Sequence, residues 1–153
     1  MANIVFNIAK GRVAEYYNRV KGNDPANSAI ILVPIETSGL EADSTLIDVD
    51  TLAALIAGAT NEQTTMGRKT LTDAELATLP APDDTNDRYE VSLPTVTWTA
   101  ASGNAISKIA VCYDSDTTGG TDSNIIPLTM FDFAQTPSGA DIQMTTGVFF
   151  RAS

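Results

Sequence analysis

The chain has 153 residues, of which 43% are apolar and 18% charged, with a mean hydropathy of zero, so it is long enough to bury a core and too balanced to be disordered or membrane-spanning. It contains no histidine and one cysteine, which excludes disulfide frameworks, Cys/His zinc sites and any chemistry that needs imidazole. Lys10, Arg12, Arg19 and Lys21 stand against Glu15 alone in residues 1–21, leaving that stretch at +3, while the remaining 132 residues carry −13 of the −10 total. Such a body repels nucleic acid.

The opening residues lack the basic-then-apolar order of a secretory signal, and no run approaches the ~20 apolar residues of a membrane helix. Synthesis in a reducing cytoplasm is therefore expected, with Cys112 as a small buried hydrophobe in the apolar run Ile109-Ala-Val-Cys-Tyr113.

Residues 1–28 form a first unit, expected as a basic N-terminal arm with a helix. Phe6, Ala9, Val13, Tyr16 or Tyr17, and Val20 recur at helical spacing, and Lys10, Arg12, Arg19 and Lys21 fall mainly elsewhere on the wheel. Gly11 weakens that helix, and Gly22 with Pro25 ends it. Residues 29–153 form the second unit, a β body. Residues 29–35 read as a strand buried on both faces, with Pro34 suggesting an edge or an end. A polar connection follows over 37–45. Asp50 offers an N-cap for a short helix over 51–57 with Gly58 as its stop. Residues 64–71 suit a polar strand, and Thr72-Asp-Ala-Glu75 has the form of a capping box. The turn-formers of 80–87 predict an exposed loop.

From Arg88 onward the pattern is all strand. Strands are expected over 88–93, 95–99, 106–113, 125–133, 141–145 and 147–151, with turns at 101–104, 114–124 and 136–139. In Thr95-Val-Thr-Trp-Thr99 the alternation puts Val96 and Trp98 on the core face. Strands so spaced predict a mainly β chain: an antiparallel sandwich or jelly-roll-like body with one or two short helices.

Few residues point to chemistry. Asp114, Asp116 and Thr118 with Gly119 imitate the first half of a calcium loop, yet Ile125 occupies the position of the closing glutamate. The main reading is a solvated hairpin loop; a metal held by Asp114, Asp116 and Asp122 is the alternative. Asp83, Asp84 and Asp87 form a second acidic cluster that lacks the aromatic walls of a glycosidase. No nucleophile–base pair and no phosphate loop is present in the sequence, and neither an enzyme nor a cofactor is expected. The basic first segment suits docking onto an acidic neighbouring protein through Phe6, Lys10, Arg12, Tyr16, Tyr17, Arg19 and Lys21, since aromatics and arginine anchor interfaces. An ordinary amphipathic helix packed on its own body fits the same pattern.

Six stretches carry a likeness: Phe6-Asn-Ile-Ala-Lys-Gly-Arg-Val13 with Glu15-Tyr-Tyr17, Asn23-Asp-Pro-Ala-Asn-Ser28, Leu79-Pro-Ala-Pro-Asp-Asp-Thr-Asn-Asp-Arg-Tyr89, Val96-Thr-Trp98, Val111-Cys-Tyr-Asp114 and Phe149-Phe-Arg-Ala-Ser153. From end to end the chain resembles a family of small virion proteins of tailed bacteriophages, usually encoded near the capsid gene. The resemblance implies a capsid cement or decoration protein on the exterior of an HK97-type head. It implies the major capsid protein as partner, a jelly-roll-like or β-tulip body and a homo-oligomer, commonly a trimer. Head–tail joining stays open within the same resemblance, and a jelly roll holding a host glycan through the 114–122 loop is the competing function.

Overall fold

The computed structural model describes residues 3–152. Strands hold 35% of the chain and helices 16%, and every strand pairing is antiparallel, so the mainly β expectation is met. The strands are β1 (Asn3–Val5), β2 (Ala29–Glu36), β3 (Lys69–Leu71), β4 (Tyr89–Leu93), β5 (Val96–Trp98), β6 (Ile106–Asp114), β7 (Ile126–Gln135), β8 (Ile142–Met144) and β9 (Gly147–Ala152). The helices are a 3-10 turn (Asn7–Ala9), α1 (Val13–Lys21) and three single α-turns, α2 (Asp43–Leu46), α3 (Leu52–Leu55) and α4 (Asp73–Leu76). Five strands form one sheet in the order β1-β7-β6-β2-β3, and β4-β9 and β5-β8 form two-stranded ribbons.

The central strands β2 and β6 are apolar at nearly every position, and both faces of their sheet are covered. Ile30, Leu32, Ile109, Val111 and Tyr113 point to one side, where α1, α4 and the two ribbons pack. Ile31, Val33, Ile35, Ala110 and Cys112 point to the other, beneath α2, α3 and Phe6. The period-2 alternation of a strand divides the side chains between these two cores. The body is thus sandwich-like, with α1 and the ribbons as its second layer. Cys112 is fully buried and its burial pushes the thiol pKa far up, as expected of an inert core residue.

Residues 3–28 depart from the arm. β1 adds to the sheet edge beside β7, Phe6 lies wholly inside the second core, and α1 presents Val13, Tyr16, Tyr17 and Val20 to the first. The spacing i, i+3, i+4, i+7 that reveals the helix also reveals why it cannot detach: those four side chains cover one face of β2 and β6. Gly11 lies outside the helix, where its φ of +80° suits the turn before α1. At the other end Asn23 takes the left-handed step, while its N–H reaches Val20 O and that of Asp24 reaches Arg19 O, the paired bonds of a Schellman stop.

Other differences have local causes. β3 is shorter than the expected strand because the buried amide of Gln63 takes over the backbone nearby. Its Nε2 donates to Ser102 O and Asn104 O, and its Oε1 accepts from the N–H groups of Thr65 and Met66. Gly103 makes room for it, since a Cβ there would lie 2.0 Å from Nε2. Helix α3 starts after Thr51 rather than Asp50, with Thr51 Oγ1 accepting from Ala54 N at 3.1 Å. Pro34 sits within β2, but its carbonyl accepts from Gln63 N, so its missing N–H faces the irregular segment beyond β3. Trp98 is buried as expected, with Nε1 donating to Gly67 O at 3.0 Å. The capping box forms, and Thr72 N–H donates to the Glu75 carboxylate at 2.7 Å.

The Tyr17 hydroxyl is buried without a hydrogen-bond partner among the described residues, between Tyr89 and Phe149. Removing an unsatisfied buried hydroxyl relieves a desolvation cost of about 1–3 kcal/mol, whereas removing the ring opens a cavity costing about 3–5 kcal/mol. Tyr17→Phe is therefore expected to match or exceed the parent in urea unfolding, and Tyr17→Ala to lose most of its stability.

Candidate functional site

Burial separates the seven docking candidates. Phe6, Tyr16 and Tyr17 are buried, at 0%, 5% and 0% exposure, and supply no free surface. They were read as grips for a neighbour; burial of both sheet faces claims them instead. Tyr16 stacks on Tyr113 with ring centroids 4.6 Å apart, which closes the side of the first core. Lys21 is also occupied. Its ammonium donates to Leu79 O at 2.7 Å and Pro80 O at 3.2 Å, tying the end of α1 to the chain leaving α4.

Lys10, Arg12 and Arg19 remain on the outside. Arg12 and Arg19 flank Glu15 at 3.2 Å each, one turn apart, with all three side chains almost half exposed. The Arg12 guanidinium also lies over the Tyr16 ring at 4.6 Å. The Arg12 bond, more than any other influence, holds the Glu15 carboxyl below its usual range. Exposed pairs of this kind contribute little in water, so Glu15 does not withhold the arginines from a denser carboxylate surface. Arg12 at the N-cap of α1 and Arg19 within it thus form a small cationic face fixed by the apolar face behind it, and Lys10 lies exposed in the turn before the helix.

The acidic loop between β6 and β7 is closed on itself. Asp114 Oδ1 accepts from Asp116 N, and Asp116 Oδ1 accepts from Thr118 N and Oγ1, the bonds that keep the Asp116 pKa low. Asp122 turns away to Arg68. No group of three His, Cys, Asp or Glu side chains converges as metal ligands would among the described residues. Of the three carboxylates of the calcium alternative, Asp122 is engaged by the Arg68 guanidinium. Asp83 likewise accepts from the main-chain N–H groups of Thr85 and Asn86 and from Asn86 Nδ2, so it caps its own turn.

Two features were not foreseen. The first is the Arg68 cluster, in which the guanidinium meets Glu62 at 2.6 and 2.7 Å and Asp122 at 2.6 and 2.9 Å, both bidentate. It pins the acidic loop to the segment before β3, and α3 adds Leu52 N to Ile125 O and Ala53 N to Asp122 O. The second is an apolar groove of about 260 Å³ between the far half of β7 and the start of β9, lined by Leu93, Phe131, Phe133, Met144 and Phe149. Its only sequence signal was the aromatic pair Phe149-Phe150 beside Val148.

Comparison of the chain with protein-family models, with curated proteins and with solved structures returns no match.

Arg68→Gln leaves Glu62, nearly enclosed, facing Asp122 without a counter-ion. A fully buried broken pair costs about 3–5 kcal/mol, and partial exposure lowers the expected loss to about 1–3 kcal/mol. The Arg68 bond holds the Asp122 pKa below its ordinary value. Its stabilisation is therefore complete above the unfolded carboxylate pKa near 4 and lost as pH falls through the folded value. Urea midpoints measured down the acid limb are expected to fall less steeply in Arg68→Gln than in the parent.

Proposed function

We propose that this chain is a structural capsid cement or decoration protein, which binds the major capsid protein on the exterior of a tailed-phage head and catalyses no reaction. The end-to-end resemblance supplies the class. The observation that carries the reading is the cluster of exposed cations around the start of α1, with Lys10 in the preceding turn, Arg12 at the N-cap and Arg19 on the helix, on a chain whose remaining residues are strongly acidic. A cement needs a surface that finds a neighbouring protein and a body that does not deform when it binds. The α1 face offers the first, because opposite charge steers encounter and fixes orientation. The two-sided core offers the second, because no docking energy is consumed in ordering an arm. On this reading the acidic loops face solvent and keep loaded particles apart. A homotrimer is part of the same proposal through the resemblance alone.

The test uses purified protein and expanded capsid shells. Lys10→Gln, Arg12→Gln and Arg19→Gln combined should weaken binding tenfold or more and flatten its salt dependence, with unfolding unchanged because all three side chains are exposed. Lys21 is left intact, since its loss would disturb the fold. Equal binding of parent and triple variant across the salt series refutes the role of the cationic face. Absence of any binding to shells refutes the cement reading itself.

A further inference from the structure

The groove beside β9 has features that its neighbours lack. β9 pairs with β4 through a register shift in which Val91 opposes Phe150 and Ser92 opposes Val148, so Phe149 is the extra residue. The bulge turns Phe149 inward to Tyr17 and leaves Val148 outward, 46% exposed, the one large exposed hydrophobic side chain among the described residues. Val148 thus stands at the lip of the groove that Phe149 helps to line. Knob and hole belong to one strand.

The groove is also free of charge. None of its lining side chains is ionisable, although the chain carries 19 carboxylates. Asp132, between Phe131 and Phe133, points to the opposite face of the sheet and meets Lys108 at 2.8 Å. Glu90 is engaged by Arg151, and Asp141 by Ala100 N. Two copies of a chain at −10 repel wherever carboxylates meet, so a contact between copies requires a neutral patch, and interface centres are generally depleted of charge. Within its ribbon β9 pairs with β4 alone.

We propose that Val148 and the adjoining groove form a self-association surface, in which Val148 of one copy seats in the groove of a second copy. A patch that carries both the projection and the recess can pair with its own copy about a two-fold axis or pass knob to hole around a ring. This assigns a surface to the self-association that the capsid reading takes from the resemblance alone, and because the test needs no shells, failure of the parent to bind shells would leave it standing.

Sedimentation equilibrium of the purified full chain at about 100 µM, a range that reveals even the weak contacts of small interfaces, is expected to give a multiple of the 16.1 kDa chain mass. Val148→Glu places an unpaired charge in the contact and should weaken association tenfold or more, while Val148→Leu should retain it. Both substitutions sit on an exposed side chain, and matching circular dichroism and thermal unfolding confirm the fold. Added salt should tighten association by screening repulsion between the acidic bodies. A single-chain mass for the parent overturns the proposal. So does an oligomer indifferent to Val148→Glu, or one that salt dissolves, which would place the contact on the cationic helix instead.

Discussion

The strands β2 and β6 are the constraint from which the rest of this structure follows. Their side chains are apolar on both faces, and a sheet with two apolar faces must find two covers. At about 25 cal/mol per Å², leaving either face wet would forfeit more stability than a domain of this size possesses. The chain meets the demand asymmetrically. Two ribbons and α1 cover one face, and two single-turn helices with Phe6 cover the other. The N-terminal segment contributes to both covers, which is why it is integral to the body although its charge sets it apart.

That use of the segment decides what is left to the surface. The apolar spacing of α1 is spent on the core, so only the polar side of the wheel can meet another molecule. A cation on a packed helix is held at a fixed height and angle, with little main-chain freedom to lose on contact. The Arg68 cluster does comparable work on the opposite cover. By tying Asp122 to Glu62 through one guanidinium, it fastens a long acidic loop over α3 without a metal ligand set. Lys108 between Asp43 and Asp132 joins α2 to β7 in the same manner.

Much of this was legible from residue order. The alternation in Val96-Thr-Trp98, the unbroken apolar run at 109–113, the capping box at Thr72 and the loop formers at 80–87 each encode local geometry, and each forms. What order could not convey was tertiary allocation. An amphipathic helix with tyrosines on its apolar side reads equally as a docking arm and as a lid on its own sheet, and only the two-faced burial of β2 and β6 chooses between them. β1 was missed because three residues carry no periodicity. The Gln63 hub and the Arg68 cluster were missed because each is completed by distant partners, Ser102 and Asn104 for Gln63 and Asp122 for Arg68, which lie 39 to 54 residues away. The groove depends on a one-residue bulge in β9, and a register shift leaves no mark in a single sequence.

The two surfaces differ in physical kind, and that difference limits what each can do. A few exposed cations act over roughly a Debye length, about 8–10 Å at ordinary ionic strength, and favour encounter more than retention. A charge-free recess acts only on contact, but its apolar burial persists in salt and governs how slowly partners separate. The helix that carries the cations and the strand that lines the groove meet inside the core, where the Tyr17 and Phe149 ring centroids lie 6.1 Å apart. An acidic partner drawn toward the helix feels attraction first and apolar contact only afterwards. For an acidic copy of the chain the order reverses: repulsion must be overcome first, and the neutral groove is where the two bodies can afford to touch. The two surfaces thus suit associations of opposite salt response.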